Sequence, residues 1–415
     1  MFTINRSNPY FALVRATNQL LPGTMRFLSC CFLCFTLLLN VHAQPSDFGL
    51  EDGDRVVFIG DGLFENDLDH GAFEYALTTT WPNRRVTFRN LGWSGDTPAG
   101  ISRDHFTNPP TPYEHLIEQI KSTNATVAFV GYGAHLAFES DAALDQFNTE
   151  LASLLDTLDA LPARVVLLTP APQEAERSPA PSVDQYNAQL ARVAAAIESV
   201  ATARNYTFVD LFKALLPQAD DPSVHISQNG IHLNALGYHL AGRALQAQLT
   251  GTPETPLLSV NLDDGGHTTA ITGVQASKKE VSFTVALSTL PALNPATEGM
   301  QPLQITGLRR GRYSVWVNNN KAGSATAAEL ANAIPIATPL GKQATELQAL
   351  IVKKNRTYFH QYRPQNETYL VGFREYEQGQ NARELQLLDP LIGEVENEIG
   401  RLRIPQEVSI RVVAD

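Results

Sequence analysis

The chain has 415 residues, 43% hydrophobic and 18% charged, with a net charge of −12. That length points to more than one core, and the composition is that of an ordinary globular protein. The acidic balance argues against nucleic acid or an anionic membrane surface as the main partner.

The first 43 residues stand apart. They hold Arg6, Arg15 and Arg26 and no acid, so the rest of the chain carries 28 basic against 43 acidic residues, a balance of −15. All three cysteines, Cys30, Cys31 and Cys34, lie in the apolar run Phe27 to Val41, which Arg26 precedes and Val41-His42-Ala43 closes. A run of about 15 residues is short of the ~20 that a span needs and reads as a secretory signal peptide, with Met25 as an alternative start. The expectation is an exported protein, periplasmic or secreted, with no membrane span once the signal is removed. It would then carry no cysteine, which excludes disulfides and thiolate chemistry.

From Glu51 to about Leu249 strand and helix alternate. Val56–Ile59, Val86–Asn90, Thr126–Val130, Arg164–Leu168 and Thr207–Leu211 read as strands. Asp67–Thr80, Tyr113–Lys121, Asp141–Leu161, Ser182–Arg204 and Ala235–Leu249 read as helices. In the third of these Leu144, Phe147, Leu151, Leu154, Leu155 and Leu158 recur at helical steps. Such alternation implies a parallel sheet covered on both faces, with every strand-to-helix loop at one edge. The composition near Thr250-Gly251-Thr252-Pro253 marks a linker. Residues 256–322 then read as a small β-rich module, with runs such as Val281–Val285 and Tyr313–Val317. Residues 323–415 read as a helical tail built from Ala327–Ala333, Lys342–Asn355 and Leu388–Arg403, interrupted by a polar, aromatic loop from Arg356 to Glu384. His360, Arg363 and Asn366 of that loop are candidate ligand contacts, since aromatics with Arg, Asn and Gln suit a polyhydroxylated ligand.

Three stretches fall at the loop edge: Phe58-Ile59-Gly60-Asp61-Gly62, Asn90-Leu91-Gly92-Trp93-Ser94-Gly95-Asp96-Thr97 and Asn229-Gly230-Ile231-His232. Together they resemble the SGNH (GDSL) esterase family, over about 200 residues of this chain. With its C-terminal extension the chain also looks like SGNH-type proteins of planctomycete-like bacteria. The resemblance implies a flavodoxin-like three-layer α/β/α sandwich over residues 51–249 and an ester hydrolase acting on an acyl or carbohydrate ester. It implies His232 as the catalytic base, and an oxyanion hole formed by the Gly62 amide, Gly95 and His135, the last at the family's asparagine position. Gly62 occupies the place of the nucleophilic serine, and Asn229 that of the aspartate that orients the histidine. A glycine cannot form an acyl-enzyme, and an asparagine favours the wrong histidine tautomer. The rival expectation is therefore a pseudo-hydrolase that binds a polysaccharide or acylated ligand. Asp61 and Ser94 are further candidate ligand contacts, although helix capping accounts for Asp61 and Asp96, and turn chemistry for Ser94 and Thr97. A metal on Asp61, His135 and His232 lacks any short ligand spacing, and neither a metal nor another cofactor is expected.

Overall fold

The computed structural model describes residues 48–104, 110–174, 183–251, 257–295, 299–364 and 384–415. Five short apolar runs become the strands of a parallel sheet: β1 (Arg55–Gly60), β2 (Thr87–Asn90), β3 (Val127–Gly131), β4 (Arg164–Leu168) and β5 (Thr207–Val209). Their order is β2-β1-β3-β4-β5, the flavodoxin-like arrangement with its switch point between β1 and β3. Alternate residues feed two separate cores. Val57, Ile59, Ala128, Val130, Val165 and Leu167 face α3 (Pro112–Ser122), α4 (Asp141–Asp159) and α5 (Val183–Arg204). Val56, Phe58, Val127, Phe129, Val166 and Leu168 face α1 (Gly62–Asp67), α2 (Ala72–Thr80), α6 (Leu211–Ala219) and α7 (Ala235–Thr250). Period-two strands buried on both faces thus produce the three layers expected from the sequence.

Two predicted elements divide. The stretch Asp67–Thr80 is the end of α1 and the whole of α2, broken where Gly71 takes φ +61° and the Asp67 carboxylate accepts from the amides of Ala72 (2.7 Å) and Phe73 (3.3 Å). The fifth strand stops at Val209, because the Asp210 carboxylate accepts from Lys213 N at 2.9 Å and starts α6.

Beyond α7 come β6 (Leu258–Asn261), β7 (Ile271–Ala276), β8 (Glu280–Val285), β9 (Gln301–Thr306), β10 (Arg312–Val317) and β11 (Asn320–Thr326). They are followed by α8 (Ala327–Ala331), β12 (Ile334–Ile336), α9 (Pro339–Tyr362), α10 (Leu388–Leu402) and β13 (Val408–Ala414). The tail is not wholly helical. Its last segment, β13, is the middle strand of an antiparallel sheet ordered β11-β10-β13-β8-β7, and a smaller sheet runs β12-β9-β6. The polar loop expected from Arg356 is also shorter, since α9 continues to Tyr362. Asn366 lies outside the described residues.

Helix α9 joins the two parts of the compact unit Pro45–Asp415. Its Leu340, Ala344, Leu347 and Ile351 belong to the core of the β-rich part, and its Tyr358 to a core of the α/β part. Between them Lys354 Nζ reaches the carboxylate of Glu74 on α2 at 2.6 Å and the Phe88 carbonyl at 2.9 Å, all in the interior. Burial pushes the Glu74 carboxyl up and the Lys354 amine down.

On α7, burial and the neighbouring Arg243 hold His239 down at about 4, against 6.5 for a free histidine. The unfolded chain therefore takes up a proton that the folded chain refuses, so this contribution is complete above about 6.5 and is lost as pH falls toward about 4. The urea midpoint of the wild type should fall more steeply over that window than that of His239→Gln. Parallel curves for the two would show that His239 carries none of the pH dependence.

Candidate active site

β1 delivers Asp61 and Gly62 to the carboxyl edge of the sheet. Gly60, just before them, is demanded by packing: a Cβ there would stand 2.1 Å from the Gly131 carbonyl oxygen. Gly62 is not. A Cβ on it would meet only Ser94 Oγ at 3.4 Å and Asn66 Nδ2 at 3.5 Å, and its backbone is not left-handed. Nothing in the fold requires a glycine at position 62.

Asp61 caps α1 by accepting from Leu63 N at 3.0 Å, and its second oxygen accepts from Ala134 N at 3.2 Å. Burial nevertheless pushes its carboxyl up, against the pull of those two amides. With both oxygens engaged, Asp61 ties the end of β1 to the loop after β3 and is a positioning group.

The second motif is built around Asn90, whose Nδ2 donates to the Phe64 carbonyl (2.7 Å) while its Oδ1 accepts from Gly92 N (2.8 Å). Gly95 takes φ +77°. Ser94 donates its amide to the Glu65 carboxylate, and its hydroxyl faces Gly62. Asp96 heads no helix. It is fully buried, accepts from Arg103 Nε at 2.9 Å and from Ser102 N at 3.1 Å, and so serves as counter-ion to a buried arginine. No spacing in the sequence marks Arg103, whose partners are Asp96 and the Leu91 carbonyl in the loop after β2 and Gln119 on α3.

After β3, Gly133 at φ +113° opens a 3₁₀ turn, Ala134–Phe138, that carries His135 to the crevice. The Nδ1 of His135 is buried with no partner among the described residues.

His232 is set by the loop ahead of α7. Asn229 Oδ1 accepts from the amides of Ile231 (3.1 Å) and His232 (2.9 Å), and Asn229 Nδ2 lies 3.4 Å from His232 Nδ1. The two backbone donors fix which way the side-chain amide points, since flipping it would set NH₂ against N–H. The amide therefore offers Nδ1 a proton, and the neutral ring carries its own proton on Nε2. Glu174, which no motif announced, anchors the same loop: its buried carboxylate accepts from Ile226 N (2.8 Å) and Ser227 N (2.7 Å), and from the Ser227 hydroxyl.

Asp61, Gly62, Ser94, Gly95, His135 and His232 line one crevice of about 290 Å³, at the switch point of the sheet. Leu63, Phe138, Pro170, Ala171, Leu190 and Ile231 give it an apolar wall. Asn229 stands behind His232. The tail residues His360 and Arg363 are not part of the lining. His360 is exposed on the last turn of α9. The Arg363 guanidinium lies 3.6 Å over the Trp93 ring and pairs with Glu65 at 2.8 Å, the same carboxylate that holds the Ser94 amide. Arg363 thus buttresses the second motif from behind. Among the described residues no group of three His, Cys, Asp or Glu side chains gathers closely enough to hold a metal ion, and no helix is long and apolar enough to cross a membrane.

Comparison with known proteins agrees with this geometry. Residues 58–240 match the GDSL-like lipase/acylhydrolase family. No curated protein matches the chain. Among solved structures, the fold is similar to that of BT4096, a gut microbial diltiazem-metabolizing enzyme, at 17% identity and a TM-score of 0.63, over 88% of this chain and 98% of that chain. The likeness extends past the α/β part into the C-terminal extension. Axe2, an acetylxylan esterase from Geobacillus stearothermophilus, matches 49% of this chain and 97% of its own at 17% identity and a TM-score of 0.39. The parallel sheet, the crevice at its switch point and the family match over residues 58–240 make this α/β domain a member of the GDSL-like lipase/acylhydrolase family, whose fold is that of ester hydrolases.

Proposed function

We propose that the chain is an exported member of this family that recognises an acyl or carbohydrate ester in its crevice and does not run the serine mechanism. The orientation of Asn229 carries this reading. It makes His232 Nε2 a donor toward the crevice, where a general base would need a free lone pair. With Gly62 at the serine position, no hydroxyl is attached where an acyl-enzyme would form. What remains suits an ester carbonyl: N–H donors for its oxygen and apolar side chains for the acyl chain. Export rests on the apolar run Phe27 to Val41, and an exported product beginning at Gln44 would be read by mass spectrometry.

The test is calorimetry and turnover with p-nitrophenyl butyrate. The purified wild type should bind the ester saturably without hydrolysing it above background. His232→Ala should weaken binding by about tenfold, the value of one lost hydrogen bond of ~1.4 kcal/mol. Turnover by the wild type that vanishes in His232→Ala would replace this reading with a divergent hydrolase.

A further inference from the structure

The largest cavity among those described is not the crevice. It measures about 580 Å³, twice the crevice volume of about 290 Å³, and the two share no lining residue. One wall is the paired surface of α2 and α7. The other is the edge of the β-rich part, residues 268–270 and 286–293, with Gln348 of α9 at one side. Tyr75 fastens the two walls together by donating its hydroxyl to the Pro291 carbonyl at 2.7 Å.

The chemistry of the walls is specific. Thr269, Ser288 and Thr289 present hydroxyls that take no bond from or to the described residues. Gln246 spends its NH₂ on the Ala76 carbonyl (2.8 Å) and Thr80 (2.9 Å), and Gln348 spends its own on the His70 carbonyl (2.8 Å). The carbonyl oxygens of both amides remain to accept. Trp81, Ala72, Leu287 and Leu293 supply apolar surface between these polar points. Among the described residues no Asp, Glu or Lys lines the cavity and Arg243 is the one permanent cation in the lining, while His239 is neutral at pH 7.

These features select among ligand classes. A phosphate or polyanion would call for several cations, and a fatty chain for a wall without hydroxyls. Scattered donors and acceptors between apolar patches match a ligand that alternates hydroxyl groups with C–H faces. We propose that this cavity between the α/β and β-rich parts binds a neutral oligosaccharide, at a site separate from the crevice. The proposal does not rest on the reading of the crevice.

Titration calorimetry of the full chain with cellotriose, xylotriose and mannotriose tests it, with trigalacturonate and inorganic phosphate as charged counterparts. None of the three sugars carries an ester, so the crevice reading is untouched by the result. At least one neutral trisaccharide should bind at concentrations up to about 10 mM, and neither anion should. Thr269→Trp and Ser288→Trp, both at exposed positions, should each weaken binding about tenfold or more, while Gly62→Trp in the crevice should leave it unchanged. No binding by any neutral sugar would overturn the proposal. So would preference for an anion, or binding that survives both cavity variants and is lost in Gly62→Trp.

Discussion

The double variant Gly62→Ser/Asn229→Asp is expected to hydrolyse p-nitrophenyl butyrate, and to do so far faster than Gly62→Ser alone. The serine has room, because the Cβ it needs makes only ordinary contacts at 3.4 and 3.5 Å. Alone, however, it would face a ring whose Nε2 already carries a proton, and in serine proteases the wrong tautomer costs roughly 10⁴ in rate. Replacing Asn229 by aspartate keeps an oxygen for the amides of Ile231 and His232 and turns the group facing Nδ1 from donor to acceptor. The proton then moves to Nδ1, and Nε2 is free to activate the new hydroxyl. Initial rates of the wild type, both single variants and the double variant check this. A double variant no faster than Gly62→Ser would show that ring orientation does not limit hydrolysis in this crevice.

The second large effect concerns stability. Lys354→Met should lower unfolding free energy by about 3–5 kcal/mol, because it strands the Glu74 carboxylate in an interior where no other described cation pairs with it. Chemical denaturation measures the loss. The companion Glu74→Leu/Lys354→Met should regain most of it, since apolar replacement of a whole buried pair is often neutral or better. If the double variant is as weak as the single, the loss comes from packing and from the bond to the Phe88 carbonyl, not from an orphaned charge.

The same pair explains what the sequence conceals. Strands β1, β3 and β4 are legible because unbroken apolar runs admit few alternatives, and α4 because its leucines keep helical spacing. The last turns of α9 keep that spacing too, with Ile351, Lys354, Asn355 and Tyr358 all buried on one face. The expected helix stops at Asn355 because the polar Arg356-Thr357 and the aromatics after it read as a loop, and only the position of Glu74 reveals why a lysine belongs in the buried stripe. At the site, the motifs place Gly62, Gly95, Asn229 and His232 together without help from the structure. The direction of the Asn229 amide is another matter, since it depends on where two backbone N–H groups point. Glu174 acts through Ile226 and Ser227, far away in sequence, and Arg103 through partners in a loop and on α3 at spacings that form no motif.

The position of β13 has a consequence for the order of assembly. Strands β7 and β8 pair with each other, as do β10 and β11, but β8 and β10 meet only through β13, which follows all of them in the chain. Until that last strand arrives, the five-stranded sheet is two ribbons with bare inner edges. Long-range insertion of this kind is slow, and unpaired strand edges are templates for association between chains. A chain emerging from a ribosome or a translocation pore therefore passes through a vulnerable interval that ends only when Val408–Ala414 closes the gap. Loss of those seven residues would leave that interval permanent, and the product would be lost to aggregation with its crevice residues intact.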